Sequence, residues 1–282
     1  MDLWYSRQES SGVEFRVKVK RPLFAGERGG RRIDVVETED FGKVLFLDGT
    51  VALTEADSAS YREMAVHVPL NSHPTARSVL LAGGGDGDLL LELLRRPDIE
   101  SVTVAEPESG LLEAIRRWFP DRAAAFENPK ARLIDEDPTS FVRGSRERFD
   151  LIIVDRPEGD GPGDGGFGQS FYCDCFRILS GDGMLVHRAG GAFFTHNQRD
   201  LIKSAGKLKR LFPLYTLYRT EQPSATMGDL FLGLASKRYH PIEDLDAERW
   251  KSYGLATRYY NAEYHRAAFA LPQRITELLQ GV

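Results

Sequence analysis

The chain is poor in the residues from which disulfide scaffolds and metal sites are built. It holds two cysteines, Cys173 and Cys175, and six histidines among 282 residues. Two positions apart, the cysteines share one face of a strand or lie about 200° apart on a helix. A disulfide framework needs more cysteines, and no histidine, cysteine and acid group has the spacing of metal ligands. We therefore predict a cytoplasmic protein with two core thiols and no metal.

Long apolar runs and blocks of basic charge are also missing. No stretch approaches the roughly 18 apolar residues that cross a membrane, and residues 1–7 lack the apolar core of a signal peptide. The net charge is −5, and basic residues come in isolated pairs such as Arg95-Arg96. We therefore expect neither membrane nor nucleic acid as a partner.

Hydrophobic periodicity predicts an α/β protein in two parts. Residues 13–54 are predicted to form strands, because apolar and charged side chains alternate over 13–20 and the pattern continues over 32–38 and 44–54, with a hairpin signal at Asp48-Gly49. Residues 58–70 have a helical pattern. Short apolar strands then alternate with helices, which indicates a mostly parallel, doubly wound sheet. The expected strands are 78–82, 101–105, 131–135, 149–154, 183–187 and 213–219. We place a small β-hairpin domain at 1–56 and the larger domain at 57–282.

A glycine-rich turn follows the first strand of the larger domain. The run ends in Gly83-Gly84-Gly85, and a leucine-rich segment with a helical pattern begins directly after it. Such a turn leaves its backbone open to a ligand. The next strand ends in Glu106, about 20 residues further on, where an acid can bind the two hydroxyls of a ribose. Turn, spacing and acid together predict a nucleoside site.

Carboxylates follow four successive predicted strands, at Asp86, Glu106, residues 135–137 and Asp155. The carboxyl ends of parallel strands meet at one edge of a sheet, so the acids should lie close together. Their charge disfavours a pyrophosphate and favours a cationic nucleoside such as a sulfonium. The alternative is that each acid merely caps a helix.

Two further features lie near the same edge. Residues 156–168 are too rich in glycine for regular structure and are expected to form a mobile lid, or alternatively a plain connector. His187 ends the fifth strand beside Arg188 and could also face the site.

Several segments resemble one known family over nearly the whole chain. They are Leu3-Trp4-Tyr5, residues 44–49, Tyr61-Arg62-Glu63-Met64, His67-Val68-Pro69, residues 83–87, residues 150–155, Tyr259-Tyr260-Asn261 and residues 265–272. The family is that of spermidine synthases, or polyamine aminopropyltransferases. The resemblance implies a β-domain ahead of a Rossmann-like domain of the class I methyltransferase type. It also implies a homodimer or homotetramer.

The resemblance also implies a donor site. The family transfers an aminopropyl group from decarboxylated S-adenosylmethionine to an amine and releases methylthioadenosine. Glu106 would hold the ribose hydroxyls and Asp137 the adenine amino group, with Gly83 and Gly85 in the turn beside the nucleoside. Asp86, together with Asp155, would bind the ammonium of the aminopropyl arm.

The resemblance further implies which residues carry the reaction. Asp155 and Tyr61 would orient the attacking amine and accept its proton. A free alkylamine has a pKa near that of lysine, about 10, so it must lose a proton before it attacks.

The chain departs from the family pattern around the substrate pocket. Arginine stands at three positions where the family has other residues, and Glu158 replaces an aspartate that holds the diamine. Gln222 takes the place of a tyrosine, and Ala52 that of a glutamine. The positions that we expect to contact substrate are Arg62, Arg156, Glu158, Arg188 and Gln222.

Three arginines near one pocket would disfavour a dication such as putrescine. Either the acceptor carries a carboxylate, or the donor does and is ordinary S-adenosylmethionine. Alternatively, Arg62 and Arg156 pair with acids such as Glu63, Glu158 or Asp160 and leave the pocket anionic. We predict aminopropyl transfer to an amine other than plain putrescine. The rivals are S-adenosylmethionine-dependent methyl or 3-amino-3-carboxypropyl transfer to a carboxylate-bearing substrate in specialised metabolism, and an inactive nucleoside-binding homologue.

Overall fold

The computed structural model describes residues 2–28, 30–107, 110–155, 167–224 and 229–281, and it contains two sheets. The first sheet has five strands in chain order, each antiparallel to the next. These strands are β1 (Leu3–Ser10), β2 (Val13–Arg28), β3 (Arg31–Thr38), β4 (Lys43–Leu47) and β5 (Thr50–Thr54).

The predicted hairpin turn at Asp48-Gly49 connects β4 to β5. Both residues have positive φ, 51° and 81°, as a two-residue turn of type I′ requires. The Asp48 carboxylate accepts bonds from the Arg31 side chain and the Arg32 backbone amide, at 3.0 and 2.8 Å. These bonds fix the end of the hairpin beside the start of β3.

The second sheet has seven strands in the order β11-β12-β10-β9-β6-β7-β8. The five strands from β10 to β8 are parallel, whereas β12 runs antiparallel to both of its neighbours, β10 and β11. The bounds are β6 Ser78–Gly83, β7 Ser101–Ala105, β8 Ala131–Ile134, β9 Phe149–Asp155, β10 Leu179–Gly190, β11 Leu214–Glu221 and β12 Asp229–Ser236. The chain adds β7 and β8 on one side of β6 and then returns to its other side, so a topological switch point lies between β6 and β9, where open α/β sheets bind ligands.

Helices cover the second sheet and connect it to the first. They are α1 (Ser58–Ser72), α2 (Asp88–Leu94), α3 (Leu111–Trp118), α4 (Pro120–Ala125), α5 (Pro138–Gly144), α6 (Gln169–Ile178), α7 (Thr195–Lys209), α8 (Ala247–Ser252), α9 (Ala262–Ala267) and α10 (Gln273–Gln280). The buried side chains of Leu111 and Ile115 on α3 pack against Ile33 and Leu45 of the first sheet. This apolar contact holds the first sheet beside the carboxyl ends of the parallel strands.

The α/β class and the mostly parallel second sheet are confirmed, and two sequence expectations need correction. Strand β12 was not expected. Only one cysteine is a core thiol, because α6 is a helix that buries Cys175 and leaves Cys173 exposed. Among the helices that the structure describes, none is both long and apolar enough to cross a membrane.

Candidate active site

The glycine turn after β6 has a backbone that other residues would strain. Gly83, Gly84 and Gly87 have φ values of 99°, 80° and 77°. Gly85 meets a different limit, because a Cβ there would lie 2.5 Å from Cγ of Glu106. The turn therefore packs its bare backbone against the acid that follows β7.

Glu106 lies on the wall of the cavity at this turn, and its side chain is 7% exposed. Its Oε1 is 3.7 Å from the guanidinium of Arg31, which also binds Asp48 in the hairpin of the first sheet. The first sheet therefore contributes directly to the predicted ribose site.

Two carboxylates, Asp86 and Asp155, line the cavity at the switch point. Asp155 ends β9 in register with Gly83 of β6. Burial and the neighbouring charge of Asp155 raise the pKa of Asp86 well above its usual range. A cationic ligand between the two acids would relieve their repulsion.

Tyr61 on α1 is tied to one of these acids. Its hydroxyl donates a hydrogen bond of 2.6 Å to Oδ1 of Asp155. Burial and the charge of Asp155 raise the pKa of Tyr61 well above its usual range, so the phenol remains protonated and donates. This bond fixes the orientation of the Asp155 carboxylate at the cavity wall.

The cavity has a volume of about 1250 Å³. Most small-molecule sites measure about 300–1,000 Å³, so there is room for a nucleoside and a second substrate together. The wall contains the turn, Glu106 and both acids, and on the side of the first sheet Arg7 and Ala52.

Arg188 of β10 also lines the cavity. Its guanidinium carbon lies 5.2 Å from the ring centroid of Tyr61. His187 is 2% exposed and lies 3.1 Å from the Tyr215 hydroxyl. The two neighbours take opposite faces because side chains alternate along a strand, so His187 does not share the site.

Arg62 has a different environment. It forms ion pairs with Asp88 at 3.0 Å and Glu92 at 3.2 Å, and it is absent from the described cavity wall. The expected partner Glu63 instead accepts the backbone amides of residues 258–260. Arg62 is therefore neutralised between α1 and α2 rather than presented to a ligand.

The remaining predicted positions lie in several places. Asp137 is exposed and caps α5, with Oδ1 accepting the amide of Thr139 at 2.9 Å. Gln222 is 2% exposed just after β11. Arg156, Glu158 and residues 156–166 of the expected lid lie outside the described residues. Within the described ranges, no three histidine, cysteine or acid side chains are grouped as metal ligands.

Sequence reasoning pointed to Ala52 of the first sheet but missed Arg7 and Arg31. Arg7 and Arg31 sit on strands whose alternation predicts only one exposed face. Which ligand that face meets depends on the docking of the first sheet against α3.

A glycine turn, a ribose-type acid and two carboxylates at the switch point define the class of nucleoside-dependent transferases. The spermine/spermidine synthase domain matches residues 58–244, and the spermidine synthase tetramerisation domain matches residues 3–55. The chain belongs to the spermine/spermidine synthase family and is an alkyltransferase.

Curated relatives match this chain over nearly its full length. The chain is 37% identical over 280 residues to the polyamine aminopropyltransferase of Alkaliphilus oremlandii, covering 99% of both chains. It is 36% identical over 282 residues to that of Clostridium perfringens, covering 100% of this chain and 99% of the relative.

Solved structures of spermidine synthases are similar to this chain over nearly its full length. The spermidine synthase of Thermotoga maritima superposes with a TM-score of 0.91 at 30% identity, over 99% of this chain and 94% of the other. A spermidine synthase in complex with the transition state analogue AdoDATO superposes at 0.93 and 31% identity, over 99% and 96%.

Proposed function

We propose that the protein transfers the aminopropyl group of decarboxylated S-adenosylmethionine to a primary amine other than plain putrescine. The observation that carries the proposal is the 2.6 Å bond between Tyr61 and Asp155, at the edge of a nucleoside-type cavity that also holds Asp86. Relatives named polyamine aminopropyltransferase and a neighbour bound to a transition state analogue support the same reaction.

The donor would lie along the glycine turn. Glu106 would accept hydrogen bonds from the ribose hydroxyls, while Gly83 and Gly85 leave room for the nucleoside. Asp137 would take the adenine amino group with the carboxylate that also caps α5. The ammonium of the aminopropyl arm would lie between Asp86 and Asp155, where two acids repel each other without a cation.

The reaction requires a neutral amine aligned with the carbon next to sulfur. Asp155, held by Tyr61, would accept the proton of the incoming ammonium and orient the nitrogen. The sulfonium is already a good leaving group, so alignment is the main task of the protein. Alignment of this kind supplies up to about 7–11 kcal/mol of barrier reduction.

Arg188 limits the choice of acceptor. A permanent positive charge beside Tyr61 and Asp155 disfavours a second ammonium in the same region. Arg156, Glu158 and Gln222 remain candidates for acceptor contacts, whereas Arg62 has its charge balanced by Asp88 and Glu92.

The test offers both donors and several acceptors. The protein is incubated with decarboxylated or ordinary S-adenosylmethionine, each with putrescine or a mixed amine pool, and products are identified by mass spectrometry. Methylthioadenosine and an aminopropylated amine from the decarboxylated donor are expected. Turnover only with ordinary S-adenosylmethionine would indicate methyl or 3-amino-3-carboxypropyl transfer, and nucleoside binding without turnover an inactive homologue.

The match of residues 3–55 to a tetramerisation domain supports assembly as a homodimer or homotetramer. We further propose that the enzyme acts in the cytoplasm on small molecules. Size-exclusion chromatography with light scattering would show a mass well above 31.6 kDa if the assembly forms.

A further inference from the structure

Several charged side chains of the cavity wall have opposite charges as neighbours. Arg31 lies between Asp48 and Glu106, at 3.0 and 3.7 Å. Asp229 faces Arg219 at 3.9 Å. These pairs contribute little net charge toward a ligand.

Arg188 differs from these pairs. Among the residues that the structure describes, no carboxylate lies within ion-pair distance of its guanidinium, whose carbon is 5.2 Å from the centroid of the Tyr61 ring. It is half-buried at the end of β10, on the wall that also carries Asp155. Its positive charge is therefore presented to whatever ligand occupies the cavity.

A second arginine reinforces this charge. Arg7 of β1 lines the same cavity, and burial and the charge of Arg188 lower the pKa of Arg7. The two side chains therefore approach each other from different sheets. A region shared by two guanidiniums attracts an anion and repels an ammonium.

We propose that the amine acceptor carries a carboxylate, which Arg188 binds beside the Tyr61–Asp155 pair, with Arg7 adding a second positive charge. The planar fork of arginine matches a carboxylate with two parallel hydrogen bonds. The region beside Arg188 suits a ligand group with a single negative charge, because the nearby Asp86 and Asp155 disfavour a more highly charged anion. The acceptor is then an amino acid or a peptide-like amine rather than a simple diamine.

This inference rests on the proposed aminopropyl transfer and leaves its chemistry unchanged. The lone pair of the neutral amine forms the new nitrogen–carbon bond while the carbon–sulfur bond breaks. The electron pair of the broken carbon–sulfur bond stays on sulfur, which becomes the neutral thioether of methylthioadenosine. The proton released from nitrogen passes to Asp155 or to water, and the acceptor carboxylate takes no part in bond making.

The test uses substrates that differ mainly in a carboxylate. L-Ornithine is putrescine with one carboxylate added, and in 4-aminobutyrate a carboxylate replaces one terminal aminomethyl group. We expect kcat/KM of the wild type to be about tenfold or more higher for a carboxylated amine than for putrescine. The inference would be overturned if the acceptor identified from the mixed amine pool lacks a carboxylate. It would also be overturned if kcat/KM for putrescine equals that for the carboxylated amines.

Substitution of Arg188 tests whether this residue causes the preference for a carboxylated amine over putrescine. Arg188→Gln should lower the ratio of kcat/KM for the carboxylated amine over putrescine by about tenfold or more, and Arg188→Lys should lower it less. This ratio is independent of how much enzyme is folded. The matched control is Arg274→Gln, a cavity arginine that lies over Phe193 and donates to the Ala192 carbonyl.

The outcomes separate the two proposals. If Arg188→Gln leaves the ratio unchanged, or Arg274→Gln moves it equally, the carboxylate site is wrong while aminopropyl transfer stands. If the wild type releases no methylthioadenosine from the decarboxylated donor with any amine, the proposed function fails first.

Discussion

At the residue scale, the hydrogen bond between Tyr61 and Asp155 makes the most direct prediction. Asp155→Asn removes the proposed proton acceptor and one negative charge, but the carboxamide has nearly the same shape. We expect turnover to fall by about 10²–10⁴-fold, the usual contribution of general acid–base catalysis, while methylthioadenosine still binds. Steady-state kinetics and calorimetry measure the two effects, and activity within a few-fold of the wild type would exclude the role of Asp155.

Asp86 predicts a proton release on donor binding. In the free cavity, burial and the charge of Asp155 raise its pKa, so Asp86 binds protons more readily than a normal carboxyl. A cationic donor favours the ionised form, so binding should release protons and become tighter as the pH rises through this raised pKa. Calorimetry in buffers of different ionisation enthalpy measures the release.

Neutral methylthioadenosine is the control for that experiment. It occupies the nucleoside site without bringing a charge to Asp86, so its binding should release far fewer protons. Equal release with both ligands, or none with the donor, would contradict this account of Asp86.

At the scale of elements, the glycine turn depends on its contact with Glu106. Gly85→Ala would place a Cβ 2.5 Å from the Glu106 side chain and displace this acid, which we propose binds the ribose. We expect affinity for methylthioadenosine to fall about tenfold or more, in line with the loss of a hydrogen bond to a charged group. Gly144→Ala is the control, since a Cβ there meets nothing within 4 Å; similar losses in both variants would reject the explanation.

The connection between α1 and α2 predicts a stability effect. Arg62 neutralises Asp88 and Glu92, whose side chains are 7% and 1% exposed. Its loss leaves these buried acids with fewer partners, so Arg62→Ala should lower the free energy of unfolding by about 2–4 kcal/mol. The matched variant Arg132→Ala breaks an exposed pair with Glu147 and should cost at most about 1 kcal/mol in urea titrations.

The same cluster makes stability depend on pH. His67, Arg95 and Arg62 overcome the effect of burial and lower the pKa of Glu92 to about 2, below its ordinary value. A depressed carboxyl pKa stabilises the fold above the unfolded pKa, and this contribution disappears as the pH falls toward 2. Arg62→Ala should therefore reduce the acid sensitivity between about pH 4.5 and 2.

Strand predictions succeeded where a short apolar run stands between polar turns. Strands β6, β7 and β9 differ from their predicted bounds by at most one residue, because parallel strands are buried on both faces. Strand β12 was missed although its residues are as apolar, since a short apolar run fits helix or strand equally well.

At the scale of the whole molecule, the sequence predicted the acids that follow the strands of the second sheet better than the residues that the first sheet contributes to the site. Asp86, Glu106 and Asp155 follow strands whose ends meet by a general rule of parallel sheets. Arg7 and Arg31 reach the cavity because the first sheet docks on α3, and no local sequence pattern predicts that docking. The sequence also could not show which acid pairs with Arg62, because Glu63 lies on the same helix and Asp88 and Glu92 lie on the next one.

The shared cavity predicts that a nucleoside stabilises both sheets together. Arg31 links Asp48 in the first sheet to Glu106 in the second, and the cavity wall draws on both. Methylthioadenosine at about 100 times its Kd adds about 2.7 kcal/mol of stability, which for a chain of this length raises Tm by about 5 °C. Scanning calorimetry should show one transition that shifts as a whole. If the first sheet melted separately, a second transition would appear whose position does not change with ligand, and Arg31→Ala would leave the ligand-induced shift intact.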